Sequence, residues 1–487
     1  MALPSDPRGI QYQDVDARYF EQRGLRRHAR VWSLWALGVG AVISGDFFGW
    51  NFGLAAGGFG GLLIATGIIT VMYAGLCYSI AEMSPALPHT GGAYSFARTA
   101  MGPWGGFITG LGETMEYVIT PAVIVVGIGG YLGAVFETPD TLAPLWWLAA
   151  YALFVGLNVA GVEASFRFTV FITFLALVIL VIFFIGAAPL FSWEYALNIP
   201  PDPGQSAFLP KGWGGVAAAL PFAIWFYLAI EELPLAAEEA HDPQRDMPRG
   251  MLLGLLTLVV TAFLTLFLNA GIAPGAAVVG VSDEPLFLAF QTIFGDGIGS
   301  KMLALIAVAG LIASFHAIVF AYGRNIYSLS RAGYFPRWMS LTHADRKTPH
   351  VALLVGAVLG FAVAFVLHLL PQDSPVGAVL LNMAVFGAMI SYAMQLIAFI
   401  LLRKQLPHIP RPYVSPLGVP GAVVALVIAL GTLLFLFFNP DYNLGVIGAA
   451  LWYVAGVLYF ALYARNQLVR APEESFAEQA RTATPPA

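Results

Sequence analysis

Apolar residues along this chain gather into long, nearly unbroken runs. They do not alternate as in strands, and they do not keep to one face as in the helices of a soluble domain. We read twelve runs, near 34–56, 59–82, 104–136, 143–160, 168–190, 213–237, 251–273, 298–328, 351–370, 376–402, 420–438 and 444–463. Most hold about 20 residues or more, enough to cross a bilayer as a helix. The pattern predicts an all-α integral membrane protein with twelve transmembrane helices. The first run is too long, and too far behind a polar tail, to be a cleavable signal. The tails, 1–30 and 465–487, are expected to be soluble or disordered; "APEESFAEQARTATPPA" has no apolar period.

Two runs are interrupted. The first breaks around "SGDFFGW" (Ser44 to Trp50) and the sixth around "WFYLAIEELP" (Trp225 to Pro234). Broken helices at matching places in two halves point to an inverted-repeat transporter with its site at the breaks. Unwound backbone at membrane depth is tolerated where it lines a cavity or is buried in protein. The glycines of "GVGAVISGDFFGWNFG" therefore let the backbone unwind, and the freed polar groups face a substrate. The two broken runs stand five helices apart.

Composition agrees: 59% of the residues are hydrophobic and 10% charged, where a soluble domain carries about a quarter charged. With the N-terminus placed in the cytoplasm, all but Lys211 and Lys301 of the 23 Lys and Arg fall on the cytoplasmic side. That bias predicts a multi-pass protein of the cell (inner) membrane with both termini inside. The net charge of −5 implies no nucleic-acid partner. Cys77 stands alone, so neither an internal disulfide nor a Cys/His metal cluster is expected. No phosphate-cradling glycine loop or organised Ser-His-Asp set is present, which disfavours an enzyme or a primary pump, and no cofactor is expected.

The polar loops carry motifs. Glu82…Pro88…Gly91-Gly92…Tyr94 follows the second run, and Glu238-Glu239…Pro243-Gln244-Arg245…Pro248 follows the sixth. Arg331-Ala332-Gly333…Pro336 ends the eighth, and Arg403…Pro407…Arg411-Pro412 ends the tenth. Together, in this order, they resemble the loops of the amino acid–polyamine–organocation transporter superfamily, over residues from about 34 to 464. Within it, "ISGDFFGWNFGLAAGGFGG" and "HTGGAYSFARTAMGPWGG" are most similar to bacterial ethanolamine permeases. The resemblance implies five-plus-five inverted repeats, with helices 1–5 in 31–190 and helices 6–10 in 213–402, and two extra helices in 420–464. It also implies alternating access around a site between helices 1, 3, 6, 8 and 10. It also places Ala176 where some proton-coupled relatives carry a lysine. Sodium coupling, exchange, facilitated uptake and a proton relay through Asp46, Glu116 or His316 all stay open.

In amino acid carriers of that superfamily the helix-break ends hold the substrate carboxylate. Here Ile43-Ser44-Gly45-Asp46 puts an acid where the pattern has an apolar residue. Asp46 can supply the negative charge an amino acid would bring, leaving a substrate that is a small organic cation such as ethanolamine. Asp46 can equally cap the second half-helix. A zwitterionic amino acid is the alternative substrate, and an amine-sensing receptor a third reading. The candidate contacts are Ser44, Gly45, Asp46, Phe47, Glu116, Trp225, Phe226, Tyr227, Ala229 and Glu231. Glu231 can also be a cap, and Glu232 can face a vestibule or pair with a base. Glu113 and Glu116 share a helix face, so at least one is protonated or paired. Aromatic faces at the breaks attract cations, though they also pack helices. His316 can relay protons or sit hydrogen-bonded in a polar seam. The expected partners are a small-molecule amine, the lipid bilayer and a coupling ion, proton or sodium; the oligomeric state is left open.

Overall fold

In the computed structural model, residues 10–470 are described except 17, 22, 88–90, 283, 296, 370–375 and 439–442, together with 475 and 479. The regular secondary structure of the described residues is all helical, with two isolated bridges and no strand. The principal helices are α1 (Val31–Val42), α2 (Phe52–Ala86), α3 (Ala93–Phe136), α4 (Ala143–Ala160), α5 (Val162–Ala187) and α6 (Gly212–Ile224). They continue with α7 (Pro243–Ala270), α8 (Ile298–Arg331), α9 (His350–Leu369), α10 (Val376–Gln405), α11 (Gly418–Phe438) and α12 (Asn443–Leu462). Among the described residues, nine helices are long and apolar enough to cross a membrane. The chain is a multi-pass membrane protein.

Several helices overrun their apolar cores. α5 begins at Val162 and α7 at Pro243, each a turn or more before its apolar run, because a helix continues past the bilayer boundary wherever its polar residues can reach water or protein. α2 begins with a short segment that belongs to the first apolar run. It bends at Gly58, whose φ of 71° suits glycine, and a Cβ there would lie 2.2 Å from Cγ of Pro210. Burial sorts the layers: the apolar window of α3 is 83% buried and that of α10 72%, against 17% for α12. α3 and α10 pack together at the centre, with α8 against α3 and α1 against α5, α7 and α8. α12 is peripheral and shows Leu451, Val454 and Leu458 outward, as a lipid-facing surface does.

The tails depart from expectation. The described residues of 10–30 and 465–470 are folded against one end of the bundle. Tyr12 bridges to Leu468, and the Gln13 amide donates to the Leu468 carbonyl at 2.7 Å. Tyr19 Oη donates to the Arg331 carbonyl, Arg23 to Ser340, and the His28 and Ala29 amides to the Glu239 carbonyl. Ile10 is fully buried. Polar composition alone does not reveal these partners, which lie hundreds of residues away in sequence. Apart from 475 and 479, the stretch 471–487 lies outside the described residues, as does Pro88.

The loop motifs turn out to be mutual partners at this end. Arg403 grips Glu82 through Nε at 2.9 Å and Nη2 at 2.5 Å, Arg411 adds a contact at 3.1 Å, and the Ser415 amide donates to the same carboxylate. Arg331 clasps Glu238, and Arg324 meets Glu239 at 2.9 Å with both side chains fully buried. Charges are buried in membrane proteins when paired in this way.

Candidate functional site

The first run breaks after α1. A single helical turn, Ser44–Phe47, follows, and the chain re-enters a helix at Phe52. The sixth run breaks at Trp225; Ala229 takes a left-handed conformation, φ 83°, and a 3-10 helix runs over Ile230–Glu239. The two breaks touch through backbone. A Cβ on Gly45 would sit 2.2 Å from the Trp225 carbonyl oxygen. Ser44, Gly45, Asp46, Phe47, Trp225, Phe226, Tyr227 and Ala229 are thus brought together, all buried.

Each wall of this centre has identifiable supports. Ser314 of α8 accepts from the Ser44 amide at 2.8 Å and donates to the Gly40 carbonyl at 2.7 Å, tying the end of α1 to α8. Tyr131 of α3 donates to the Phe47 carbonyl at 3.2 Å. Trp50 stacks on Phe226 with centroids 5.4 Å apart. Tyr227 bonds Thr70 of α2 at 2.7 Å, and its ring lies 5.2 Å from that of Tyr73. Asn51 ties the first break to the segment after α7, donating to the carbonyls of Val279 and Ser282 at 2.7 and 2.8 Å.

Asp46 is 2% exposed and faces the hydroxyls of Thr261 and Thr265 on α7. Its Oδ1 has no hydrogen-bond partner, and no basic side chain pairs with it among the described residues. Nor is it a cap. The residue before the second helical segment is Asn51, and the Asn51 Oδ1 takes the Gly49 amide at 3.1 Å. Thr265 Oγ1, both amide atoms of Asn269, and the indole nitrogens of Trp50 and Trp225 are likewise buried without partners. Buried polar groups are normally satisfied, and the Asp46 Oδ1 at the contact of the two breaks is an exception, with only the Thr261 and Thr265 hydroxyls facing its carboxylate. Thr261 and Thr265 escaped the sequence reading. The signal was present: 257, 261, 265 and 269 are polar at a spacing of four in an apolar run, one stripe of a helix.

Glu116 and Glu231 belong to a neighbouring cluster. Tyr392 of α10 donates to Glu116 Oε1 at 2.9 Å, and Tyr117 to Glu231 Oε1 at 3.3 Å; the two carboxylates lie within hydrogen-bonding reach of each other. Tyr73 donates to Tyr392 at 3.1 Å, so aromatic hydroxyls link this cluster toward Tyr227. Glu232 is buried with both oxygens unpartnered, so it neither opens to a vestibule nor meets a base. Glu113 accepts the Ala93 and Tyr94 amides at 3.2 Å, satisfying the start of its own kinked helix.

His316 lies apart, among α4, α5 and α8. Asn158 donates to Nδ1 at 3.1 Å, Nε2 meets Ser165 Oγ at 3.0 Å, and Ser165 donates to Asn158 Oδ1 at 3.1 Å. One assignment satisfies all three groups: a neutral imidazole with its hydrogen on Nε2. This is the hydrogen-bonded polar seam.

Residues 34–470 match the model of the amino acid permease family. The chain belongs to the amino acid permease family. An uncharacterized transporter of Rhizobium meliloti is 30% identical over 455 residues, covering 91% of this chain and 92% of its own. The branched-chain amino acid permease BcaP of Bacillus subtilis is 26% identical, covering 93% and 96%. The methylthioribose transporter of the same organism is 25% identical, covering 92% and 95%. Membership makes this permease a transporter of a small molecule, and the match extends through both breaks and all four loop motifs. The name methylthioribose transporter shows that proteins similar to this permease are not confined to amino acids.

Proposed function

We propose that this permease is a secondary transporter importing a small organic cation, with ethanolamine the substrate that fits best, by alternating access. The observation that carries the reading is Asp46, a buried carboxylate at the contact of the two breaks with one oxygen unpartnered. An intramembrane carboxylate is costly unless paired, and an ammonium group pairs it. The resemblance of "ISGDFFGWNFGLAAGGFGG" to ethanolamine permeases points the same way.

In this reading the ammonium sits between Asp46 and the aromatic faces of Trp225 and Tyr227. The substrate hydroxyl answers Thr265 or Asn269 of α7. Twelve transmembrane helices form two inverted five-helix units plus two more, with both termini in the cytoplasm. Release of the Asn51 contacts opens the outer side. Parting of the Arg324–Glu239 and Arg331–Glu238 pairs, with the N-terminal segment laid over them, opens the inner side. Glu116, coupled to Glu231, is the candidate proton carrier.

A second reading is import of small neutral amino acids, favoured by the name of the BcaP relative. A zwitterion's carboxylate would meet Asp46 unfavourably, so ligand preference separates the two. Purified permease is titrated with ethanolamine, choline, putrescine, alanine and serine, with and without sodium, and read by thermal shift. Stabilisation by ethanolamine supports the cation reading. Stabilisation by alanine or serine alone supports the amino acid reading.

A further inference from the structure

A cavity of about 450 Å³ opens where the N-terminal segment meets the α4–α5 corner and the loop after α8. It has no part in the site between the breaks. Four arginines line it, Arg26, Arg27, Arg167 and Arg346, against two acids, Glu163 and Asp345. With His28 neutral the lining carries a net charge of +2, on a protein whose overall charge is −5. Arg167 and Glu163 neutralise each other at 2.5 Å. The guanidinium groups of Arg26, Arg27 and Arg346 have no ion-pair partner among the described residues.

The start of α5 forms another wall. Gly161, Val162, Glu163 and Ala164 line the cavity, and no side chain caps this 26-residue helix. Its first-turn amides therefore point at the same space as the arginines, which is the arrangement that receives an anion at a helix N-terminus. Guanidinium groups and free amides together suit phosphate oxygens, to which arginine can donate in pairs.

The surroundings suggest where such an anion comes from. Phe171, one turn into α5 from Arg167, is 64% exposed, and Trp32 at the start of α1 is 63% exposed. Trp35, next to Trp32 with centroids 5.7 Å apart, packs on Phe174. Exposed aromatics four residues along the chain from Arg167 and His28 of the cavity lining offer a surface on which a lipid chain can lie while its headgroup is held in the cavity.

We infer that this cavity binds a phosphate-bearing anion, held by Arg26, Arg27, Arg346 and the N-terminus of α5. A lipid headgroup and a free phosphate share this chemistry, and the test separates them. Full-length permease in a neutral detergent is titrated with short-chain phosphatidylglycerol, phosphatidylcholine of the same chain length, glycerol 3-phosphate and inorganic phosphate, by native mass spectrometry. The same series is run on a variant combining Arg26→Gln, Arg27→Gln and Arg346→Gln. The wild type is expected to take phosphatidylglycerol at least ten-fold more tightly than phosphatidylcholine, and the variant to lose that preference. Failure of glycerol 3-phosphate and phosphate to compete assigns the site to lipid; competition by either assigns it to a soluble anion. Should the variant fold poorly, the wild type carries the test alone, because its preference must fall as salt rises from about 50 to about 500 mM. Equal binding of both lipids by wild type and variant, with no binding of either phosphate, overturns the inference.

Discussion

Gly45 and Trp225 meet across the centre of the permease, backbone against backbone. A single added carbon on Gly45 would lie 2.2 Å from the Trp225 carbonyl oxygen. The partner is main chain and cannot turn aside as a flexible side chain could. The two helix breaks are therefore held in register by a residue with no side chain.

Gly45→Ala is accordingly expected to force the breaks apart. Overpacking of this kind costs about 1–3 kcal/mol, and the displacement falls on the site itself. Uptake in proteoliposomes should drop to background, while size-exclusion chromatography still shows a monodisperse protein of lowered melting temperature. Gly45→Ala with normal uptake would mean that the breaks are not in contact during transport.

How much of this was legible in the sequence differs from place to place. Apart from the two breaks, most of each apolar run among the described residues lies in helix, and nine of these helices are long and apolar enough to span, because lipid-facing and core-facing residues of a membrane helix are alike apolar and leave a long signal. The breaks were legible too, from glycines and an acid where neither belongs in a spanning helix. The partners were not. Nothing local to Glu82 names Arg403, and nothing local to Asp46 names Thr261 or Thr265, since these meetings depend on how distant helices pack. Ala229 was legible only as a neighbour of the break; its left-handed backbone, rare for a residue with a Cβ, emerges from the fold. The described parts of the tails, within 10–30 and 465–470, were misread because polar composition is shared by disordered chain and by chain that binds a polar protein face.

The buried pair of Arg324 and Glu239 yields a stability prediction. Removing one partner leaves an unpaired buried charge, a loss of about 3–5 kcal/mol. Arg324→Ala should lower the melting temperature sharply. Adding Glu239→Ala to it should recover much of the loss, because the orphaned charge goes with it. A double variant no better than the single one would show that the pair does not act as a unit.

His316 tests the difference between a relay and a seam. Its three-way bonding with Asn158 and Ser165 is complete for a neutral ring. His316→Ala should therefore destabilise, leaving two polar partners unmet at about 1–3 kcal/mol each. The pH profile of uptake by the surviving folded protein should keep its shape. A shifted profile would return His316 to the proton path.

Thr265 should set selectivity. If its hydroxyl answers the substrate hydroxyl, Thr265→Val keeps the volume and removes the bond. The KM for ethanolamine should then rise about ten-fold or more, while that for an amine of similar size without a hydroxyl changes little. Equal changes for both amines would place Thr265 in packing rather than recognition.

The most direct measurement is uptake of labelled ethanolamine, alanine and serine by proteoliposomes holding the wild type or Asp46→Asn. Asparagine keeps the shape and removes the charge. The account predicts ethanolamine uptake by the wild type and its loss, by about a hundred-fold or more, in a variant with near-normal melting behaviour; a charge-assisted contact at a buried site is worth roughly that much. Normal ethanolamine uptake by Asp46→Asn would contradict it.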